Sequence, residues 1–156
     1  MATSHVGGYE KNGADTVPAM SETRWDAYKK GAFKVPATET FGFELLDADD
    51  GTPAFRWTVP AEYCNSAGNL QGGVMAAFAD AVLGGLCASE IPNDFYPALA
   101  EMKIQFLRPA PAGSTITASG RVLKTGKRLI FVEAEITSED GKLLAKITGI
   151  EIPAPA

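Results

Sequence analysis

The sequence predicts an α+β fold in which an antiparallel sheet wraps around one long central helix. Three observations predict it. Residues 70–88 form a long apolar stretch with a single charge, Asp80. Four runs of strand-like composition follow this stretch, and two such runs precede it. Strands, then a helix, then more strands is the order typical of an α+β domain with an antiparallel sheet.

Length and charge limit the possible functions. The chain has 156 residues, of which 46% are hydrophobic and 21% charged. These values suit a single globular domain over residues 21–156, preceded by a polar arm over residues 1–20. The net charge of -5 disfavours nucleic acid as a partner, because phosphate binding depends on clustered Lys and Arg. An anionic small ligand is still possible, since it needs only a local basic patch.

Two scarce residue types narrow the chemistry. The only histidine, His5, lies in the polar arm, so neither a His-dependent triad nor a His-based zinc site is expected on the folded domain. The two cysteines, Cys64 and Cys87, lack CxxC spacing and are predicted to be free, buried thiols. Because residues 1–8 also lack a signal-peptide pattern, we expect a cytoplasmic protein. Because no histidine is expected on the folded domain, acid–base catalysis would depend on carboxylates, Lys, Tyr or water.

A short helix is predicted first, over residues 21–32. Ser21 is a residue type that caps helix N-termini well. Trp25 and Tyr28, three residues apart, would give this helix one apolar face.

A hairpin is predicted next. Residues 41–46 are apolar, and an Asp-rich turn over residues 47–52 separates them from a second run, residues 54–59. In that second run apolar side chains alternate with polar ones, which indicates a half-buried strand.

Residues 70–88 allow three interpretations. Their length is close to the roughly 20 residues of a membrane span, but Asp80 would then lie in mid-bilayer at a cost of about 2.5–3.5 kcal/mol. The stretch is too long for one buried strand. We therefore predict a helix buried on all sides. Beside Asp80 it carries small side chains that would let another element pack closely, namely Gly73, Ala76, Gly84 and Cys87.

The second half of the chain is predicted to be four strands. Their alternating or β-rich composition is interrupted by Gly- and Pro-containing turns. The predicted strands cover residues 98–107, 115–125, 129–138 and 143–152.

The loop before the central helix carries a motif. It reads Asn65, Gly68, Gln71, Gly72 and Gly73, with Asp80 eight residues after Gly72. This resembles the N-x-x-G-x-x-H-G-G signature, followed by an acidic residue, of the phenylacetic-acid-degradation thioesterases. The resemblance implies the hot-dog fold and hydrolysis of an acyl-CoA to the free acid and CoA. No further cofactor is implied, because CoA is part of the substrate.

Roles for the motif residues follow from this chemistry. Asp80 would act as general base on water or as direct nucleophile, and burial would raise its pKa and make it a better base. The N–H of Gly72, at a helix N-terminus, would stabilise the oxyanion, and Asn65 could orient the water. The family histidine is Gln71 here, whose amide is a possible replacement donor. Some members of the family carry Ser or Thr where this chain has Gly84 and Leu99.

Substrate-binding residues are predicted in two groups. Basic side chains near predicted strand ends are candidates for the CoA phosphates: Arg108, Lys124, Lys127 and Arg128. Small and apolar side chains are candidates for the acyl pocket: Gly73, Met75, Phe78, Leu83 and Phe95.

Each of these assignments has a structural alternative. Gly72 and Gly73 could serve only close packing, Asp80 could be a hydrogen-bonded structural carboxylate, and Asn65 could simply form a turn. The basic residues could belong to a solvated turn. At the level of function, the alternative is a hot-dog protein that binds acyl-CoA without hydrolysing it. A hydratase of the same fold would need a histidine that the predicted domain lacks, and a purely structural domain is a third possibility.

Helix geometry predicts that each active site is shared between two protomers. Gly72 and Asp80 would lie about 12 Å apart along the helix axis, too far for one thioester to meet both. A second, antiparallel copy of the helix would bring its own Asp80 beside the first Gly72. We therefore expect a homodimer. Further assembly into a dimer of dimers (a homotetramer) is a separate expectation, as is the absence of a nucleic-acid or membrane partner.

Overall fold

The computed structural model describes residues 22–46 and 50–156. The elements are α1 (Arg24–Lys29), α2 (Pro36–Phe41), β1 (Glu44–Leu46), β2 (Ala54–Thr58), a 3-10 turn (Ala61–Tyr63), α3 (Gly72–Ala88), β3 (Phe95–Phe106), β4 (Thr115–Thr125), β5 (Ile130–Ser138) and β6 (Leu143–Pro155). The six strands form one antiparallel sheet in the order β1-β2-β4-β5-β6-β3, and the long helix α3 packs on it. This confirms the predicted hot-dog arrangement. The predicted arm 1–20, with His5, lies outside the described residues, as does Ser21.

Helix α1 begins later than predicted. Its N-cap is Thr23, not Ser21, because Thr23 and Asp26 form a reciprocal capping box. The Thr23 hydroxyl accepts from the Asp26 N–H at 3.1 Å, and the Asp26 carboxylate accepts from the Thr23 N–H at 3.3 Å. The predicted apolar face is confirmed: Trp25 is buried, Tyr28 is half-buried, and the Trp25 ring meets Phe55 edge-on with centroids 5.9 Å apart.

The predicted strand over residues 41–46 is correct only in its second half. Helix α2 ends at Phe41, so strand β1 begins at Glu44. Pro36 stands in the first turn of α2, where its missing N–H costs nothing, and Gly42 ends the helix with a φ of 74°. The hairpin itself is confirmed, since β1 pairs antiparallel with β2.

Helix α3 covers most of the predicted stretch but is not buried on all sides. It begins at Gly72 because Leu70 still pairs with Cys64 across an isolated bridge. One face is sealed against the sheet by Met75, Phe78, Ala79, Val82, Leu83 and Leu86. The opposite face is at least partly accessible in the protomer and consists of Gly73, Ala76, Ala77, Asp80, Ala81 and Gly84. No helix within residues 22–46 or 50–156 has the length and apolarity to cross a bilayer.

The strands after α3 are close to those predicted. β4 has the predicted bounds, whereas β6 runs on to Pro155 and β3 begins at Phe95, ahead of Pro97. β3 lies at the edge of the sheet, with β6 as its only described neighbour. An edge strand tolerates proline because the missing N–H can lie on the unpaired side.

The alternation of strand β6 determines which of its side chains face the buried side of helix α3. Its buried positions alternate through Ala145, Ile147, Gly149 and Glu151. A Cβ on Gly149 would lie 2.7 Å from Cδ1 of Leu83, so the helix and the strand approach closely at this glycine. The same alternation places the side chain of Glu151 inside, 1% exposed.

Candidate active site

A cleft of about 380 Å³ lies between the N-terminal helices, α3 and the edge of the sheet. Aromatic rings supply much of its wall, from Trp25, Tyr28, Phe33, Phe55 and Tyr96. Two carboxyl groups lie in the same cleft, Asp80 from α3 and Glu151 from β6. Gly84 and Leu99, which stand where some relatives of the motif carry a hydroxyl, also line it. We call it the carboxyl cleft.

Asp80 is the accessible member of the two carboxyls. It was expected to be buried, but in the protomer its side chain is exposed, because the outer face of α3 is uncovered there. The cleft walls still remove part of its hydration, and this partial burial raises the pKa of Asp80 above its ordinary value. Burial is the cause of the shift. The structural alternative, a hydrogen-bonded carboxylate, finds no hydrogen-bond or ion-pair partner for Asp80 in the described part of the chain.

Glu151 is the sealed member, and neither of its carboxylate oxygens has a hydrogen-bond partner among the described residues. Burial, with the nearby charge of Asp80 as a second cause, raises the pKa of Glu151 to about 7. Burial and the same carboxyl also raise the pKa of the Cys87 thiol to about 12, so that buried cysteine is an inert thiol. Glu151 carries no sequence signal of a functional residue, because it lies between Ile150 and Ile152 in a run with the composition of an ordinary strand.

Two cations line the carboxyl cleft, but both are already engaged elsewhere. The Arg24 guanidinium lies 3.8 Å from the centroid of the Phe33 ring and donates to the Asn93 carbonyl at 2.8 Å. Lys34 pairs with Glu39 at 2.9 Å. Neither cation forms an ion pair with Asp80 or Glu151.

Gly72 lies in a second cleft of about 360 Å³, which we call the glycine cleft. Gly72 is the first residue of α3, after the N-cap Gln71, and its N–H donates to no described backbone carbonyl. A Cβ on Gly72 would lie 3.4 Å from the Phe106 ring, and one on Gly73 would meet nothing within 4 Å. Packing within the protomer therefore does not require either glycine. Both leave a free N-terminal turn open to something outside the protomer.

Asn65 forms a turn in the wall of the glycine cleft. Its Oδ1 accepts from the N–H groups of Ala67 at 3.0 Å and Asn69 at 3.2 Å, and Gly68 supports the turn with a φ of 74°. The structural role suggested as an alternative is therefore present, and orientation of a water by Asn65 stays a prediction. Gln71 is exposed and makes no capping hydrogen bond with its side chain.

The structure brings together only part of the predicted substrate-binding set. Met75 and Arg108 line the glycine cleft with Gly72. Phe78 and Leu83 pack in the core and line neither cleft, because they point toward the sheet. Phe95 packs against the same core. The remaining basic residues are exposed and line neither cleft: Lys124 lies near the end of β4, and Lys127 and Arg128 lie in the β4–β5 turn.

Gly72 and Asp80 thus open into different clefts of one protomer, as the helix geometry predicts. In one protomer, the unpaired Gly72 N–H lies in the glycine cleft and the unpaired Asp80 carboxylate lies in the carboxyl cleft. The sharing of one active site by two protomers rests on this separation and stays a prediction.

Several known proteins are similar to this chain. The model of the thioesterase superfamily matches residues 67–145. A Saccharolobus solfataricus protein, whose name assigns it provisionally as an esterase, is 32% identical over 106 residues, covering 68% of this chain and 74% of that protein. The acyl-coenzyme A thioesterase PaaI of Escherichia coli is 28% identical over 130 residues, covering 83% of this chain and 91% of that protein. The solved structure of E. coli PaaI superimposes with a TM-score of 0.76 at 24% identity, covering 88% of this chain and 98% of that chain, and supports the fold.

The buried state of Glu151 predicts a pH-dependent stability. The folded protein keeps the Glu151 proton up to a pH of about 7, whereas the unfolded chain releases it near the ordinary value of 4.5. Between these values the unfolded state binds fewer protons, so the free energy of unfolding falls as pH rises. Glu151→Gln cannot ionise. We expect it to be more stable than wild type at pH 8, by on the order of 3 kcal/mol, and similar to wild type at pH 4.

Urea unfolding across that pH range measures the difference. Glu139→Gln, at an exposed turn position, is the matched control and should follow wild type throughout. An equal stability difference between Glu151→Gln and wild type at pH 4 and pH 8 would show that Glu151 does not carry a shifted pKa.

Proposed function

Because this chain belongs to the thioesterase superfamily and is therefore a thioester hydrolase, we propose that it hydrolyses acyl-CoA to a free acid and CoA. Asp80 is the general base or nucleophile, and the Gly72 N–H stabilises the oxyanion. One observation carries the proposal: Asp80 is an accessible carboxylate with a raised pKa and no protein partner, at the wall of an aromatic cleft. The acyl-CoA thioesterase PaaI, 28% identical to this chain, supports the choice of substrate.

As general base, Asp80 removes a proton from a water molecule. The water oxygen bonds to the thioester carbon, and the carbonyl oxygen takes up the negative charge. Collapse of this intermediate breaks the C–S bond, and the departing thiolate receives the proton that Asp80 accepted. A raised pKa suits both steps, because the group must accept a proton and then release it near neutral pH. As nucleophile, Asp80 would instead bond to the thioester carbon and expel the CoA thiolate, and water would then hydrolyse the resulting anhydride to the free acid and Asp80.

The Gly72 N–H supports the oxyanion role through its position. It lies in the first turn of a 17-residue helix, where backbone N–H groups have no partner and the helix dipole is positive. The missing Cβ allows a carbonyl to approach this N–H closely. Packing does not explain the glycines, since a Cβ on Gly73 would meet nothing within 4 Å.

Two protomers complete each site in this proposal. The accessible face of α3 around Asp80 is made of Gly and Ala, so a second helix could approach it closely. The edge strand β3 is 12 residues long and lacks a described neighbour on its outer side. An uncovered edge of this length is normally paired or protected. Both features favour a two-fold dimer, with the two α3 helices antiparallel and β3 beside its copy. Further assembly into a tetramer stays a prediction.

Arg108 is the best-placed of the predicted CoA-binding cations. It lines the glycine cleft, and its guanidinium donates to the Leu143 carbonyl at 2.7 Å. That bond holds the charge beside the cleft in which the thioester carbonyl would bind Gly72.

Asp80→Asn tests the role of Asp80 as the base. We expect this variant to fold and to bind acyl-CoA, but to release free CoA at least roughly 100-fold more slowly, because the amide cannot accept the proton. A thiol-release assay over acyl-CoA chain lengths measures the rate and finds the preferred acyl group. Binding without CoA release by the wild type would instead support the non-catalytic alternative. Near-normal hydrolysis by the folded variant would exclude Asp80 as the base.

Arg108→Ala tests whether Arg108 binds the CoA phosphates. We expect KM for an acyl-CoA to rise by roughly tenfold, since a charge-assisted hydrogen bond to phosphate contributes about 1.5–3 kcal/mol, with little change in kcat. The acyl-pantetheine analogue, which lacks the nucleotide phosphates, should be hydrolysed equally well by wild type and variant. Lys142→Ala, at an exposed turn, is the control. An equal loss with both substrates would show that Arg108 acts on folding or on the acyl half.

Subunit complementation tests whether each active site is shared between two protomers. Gly72→Pro removes the N–H donor and is compatible with the first helical position. Asp80→Asn removes the base. Each homodimer should be inactive. In a mixed dimer one site is intact and the other carries both changes, so co-refolding the two variants should restore roughly a quarter of wild-type activity.

Wild type taken through the same refolding sets the reference for this experiment, and both variants are first shown to fold. If the mixture stays inactive while refolded wild type is active, the two groups do not belong to different chains of one site.

A further inference from the structure

Glu151 shares the carboxyl cleft with Asp80 but comes from a different element. It is 1% exposed, and both of its oxygens lack a partner in the described part of the chain. A buried polar group without a hydrogen bond destabilises a fold, and an apolar side chain of similar size would avoid that cost. A buried carboxyl group without a partner in the wall of the proposed catalytic cleft therefore indicates a function for Glu151 in that cleft.

The side chains around Glu151 do not neutralise it. Its strand neighbours are Leu99 on β3 and Ile130 on β5, both apolar. Helix α3 presents Asp80 and Cys87, the two groups with which Glu151 interacts electrostatically. The other titratable groups of the cleft are Arg24 and Lys34, which are engaged elsewhere, and the phenols Tyr28 and Tyr96.

Two carboxyls in one partly desolvated cleft do not ionise independently. The accessible one loses its proton first, and the sealed one then keeps its own against both burial and the neighbouring charge. Asp80 is accessible and Glu151 is sealed. Glu151 therefore keeps its proton up to a pH of about 7, and Asp80 is the member of the pair that ionises first.

We propose that Glu151 is a positioning residue for Asp80: it stays a neutral acid while Asp80 is ionised and supplies a hydrogen-bond donor to the carboxyl cleft. This inference rests on the proposed role of Asp80 in thioester hydrolysis. A carboxylic acid kept neutral by its surroundings can donate a hydrogen bond as a carboxylate cannot.

The consequence is an alkaline limit to catalysis. The thioester carbonyl oxygen becomes negative in the transition state. While Glu151 is neutral, the two carboxyl groups of the cleft carry one negative charge, on Asp80. Once Glu151 ionises, a second negative charge opposes that oxyanion and the donor is lost. Activity should therefore fall as pH rises through the Glu151 pKa of about 7.

Three variants test this inference through the pH profile of kcat/KM. Glu151→Gln keeps an N–H donor and cannot ionise, so its decline above neutral pH should disappear. Glu151→Leu is also neutral but has no donor. At pH 6 its kcat/KM should be lower than that of Glu151→Gln, by roughly tenfold, the scale of one hydrogen bond. Exposed Glu139→Gln should keep the wild-type profile. The inference is overturned if Glu151→Gln retains the alkaline decline, or if Glu151→Leu equals Glu151→Gln.

A second measurement does not depend on turnover. In carbon-13 NMR of glutamate-labelled protein, the carboxyl signal that vanishes in Glu151→Gln should titrate near pH 7. In Asp80→Asn the same signal should titrate lower, because the neighbouring charge is gone. An unchanged midpoint in Asp80→Asn overturns the coupling even if the wild type hydrolyses acyl-CoA. Wild type that releases no CoA refutes the proposed function instead, whatever the titration gives.

Discussion

The packing of α3 against the sheet is the constraint on which the rest of the structure depends. Phe78, Val82, Leu83 and Leu86 are at most 1% exposed, and each buried side chain of this size contributes about 1.5–3 kcal/mol. This contact fixes the rotation of the helix about its axis. Because one face of α3 packs on the sheet, Asp80 and the small residues lie on the opposite face of the helix.

The same contact determines the polarity of the cleft. Gly149 lets Leu83 approach β6, and the alternation of that strand then places Glu151 two residues further along on the inner side. The helix supplies an accessible carboxylate and the strand supplies a sealed one. Burial raises the pKa of both groups, and the charge of Asp80 raises that of Glu151 further. The proposed division of roles between a base and a neutral donor rests on this difference in surroundings.

The protomer also leaves groups unpaired that a folded protein normally satisfies. The Gly72 N–H, the outer edge of β3 and the Asp80 carboxylate have no described partners. In the proposed dimer all three would lie at the contact between the two copies, and two of them are the groups proposed to act on the thioester. Assembly and catalysis would therefore depend on the same unsatisfied groups.

Much of this protein can be predicted from its sequence. The apolar length of residues 70–88 identifies the central helix, and the motif through Gly72 identifies the residue at its start and its lone acid, because these are local properties of spacing and composition. The alternation of Phe55 and Trp57 likewise predicts the buried face of β2, which the structure confirms. Helix α2 was missed because Pro36 and Gly42 delimit a helix of only 6 residues, too short to show a period.

Only the tertiary structure decided the environment of the two acids. Glu151 stands between Ile150 and Ile152, so the local pattern places the isoleucines inside and the acid outside. The contact of Gly149 with Leu83, an interaction across more than 60 residues of chain, selects the opposite face. Asp80 was expected to be buried because its neighbours in sequence are apolar, yet the sheet covers only one side of its helix. Burial and pKa depend on which distant elements surround a side chain, and spacing along the chain does not specify them.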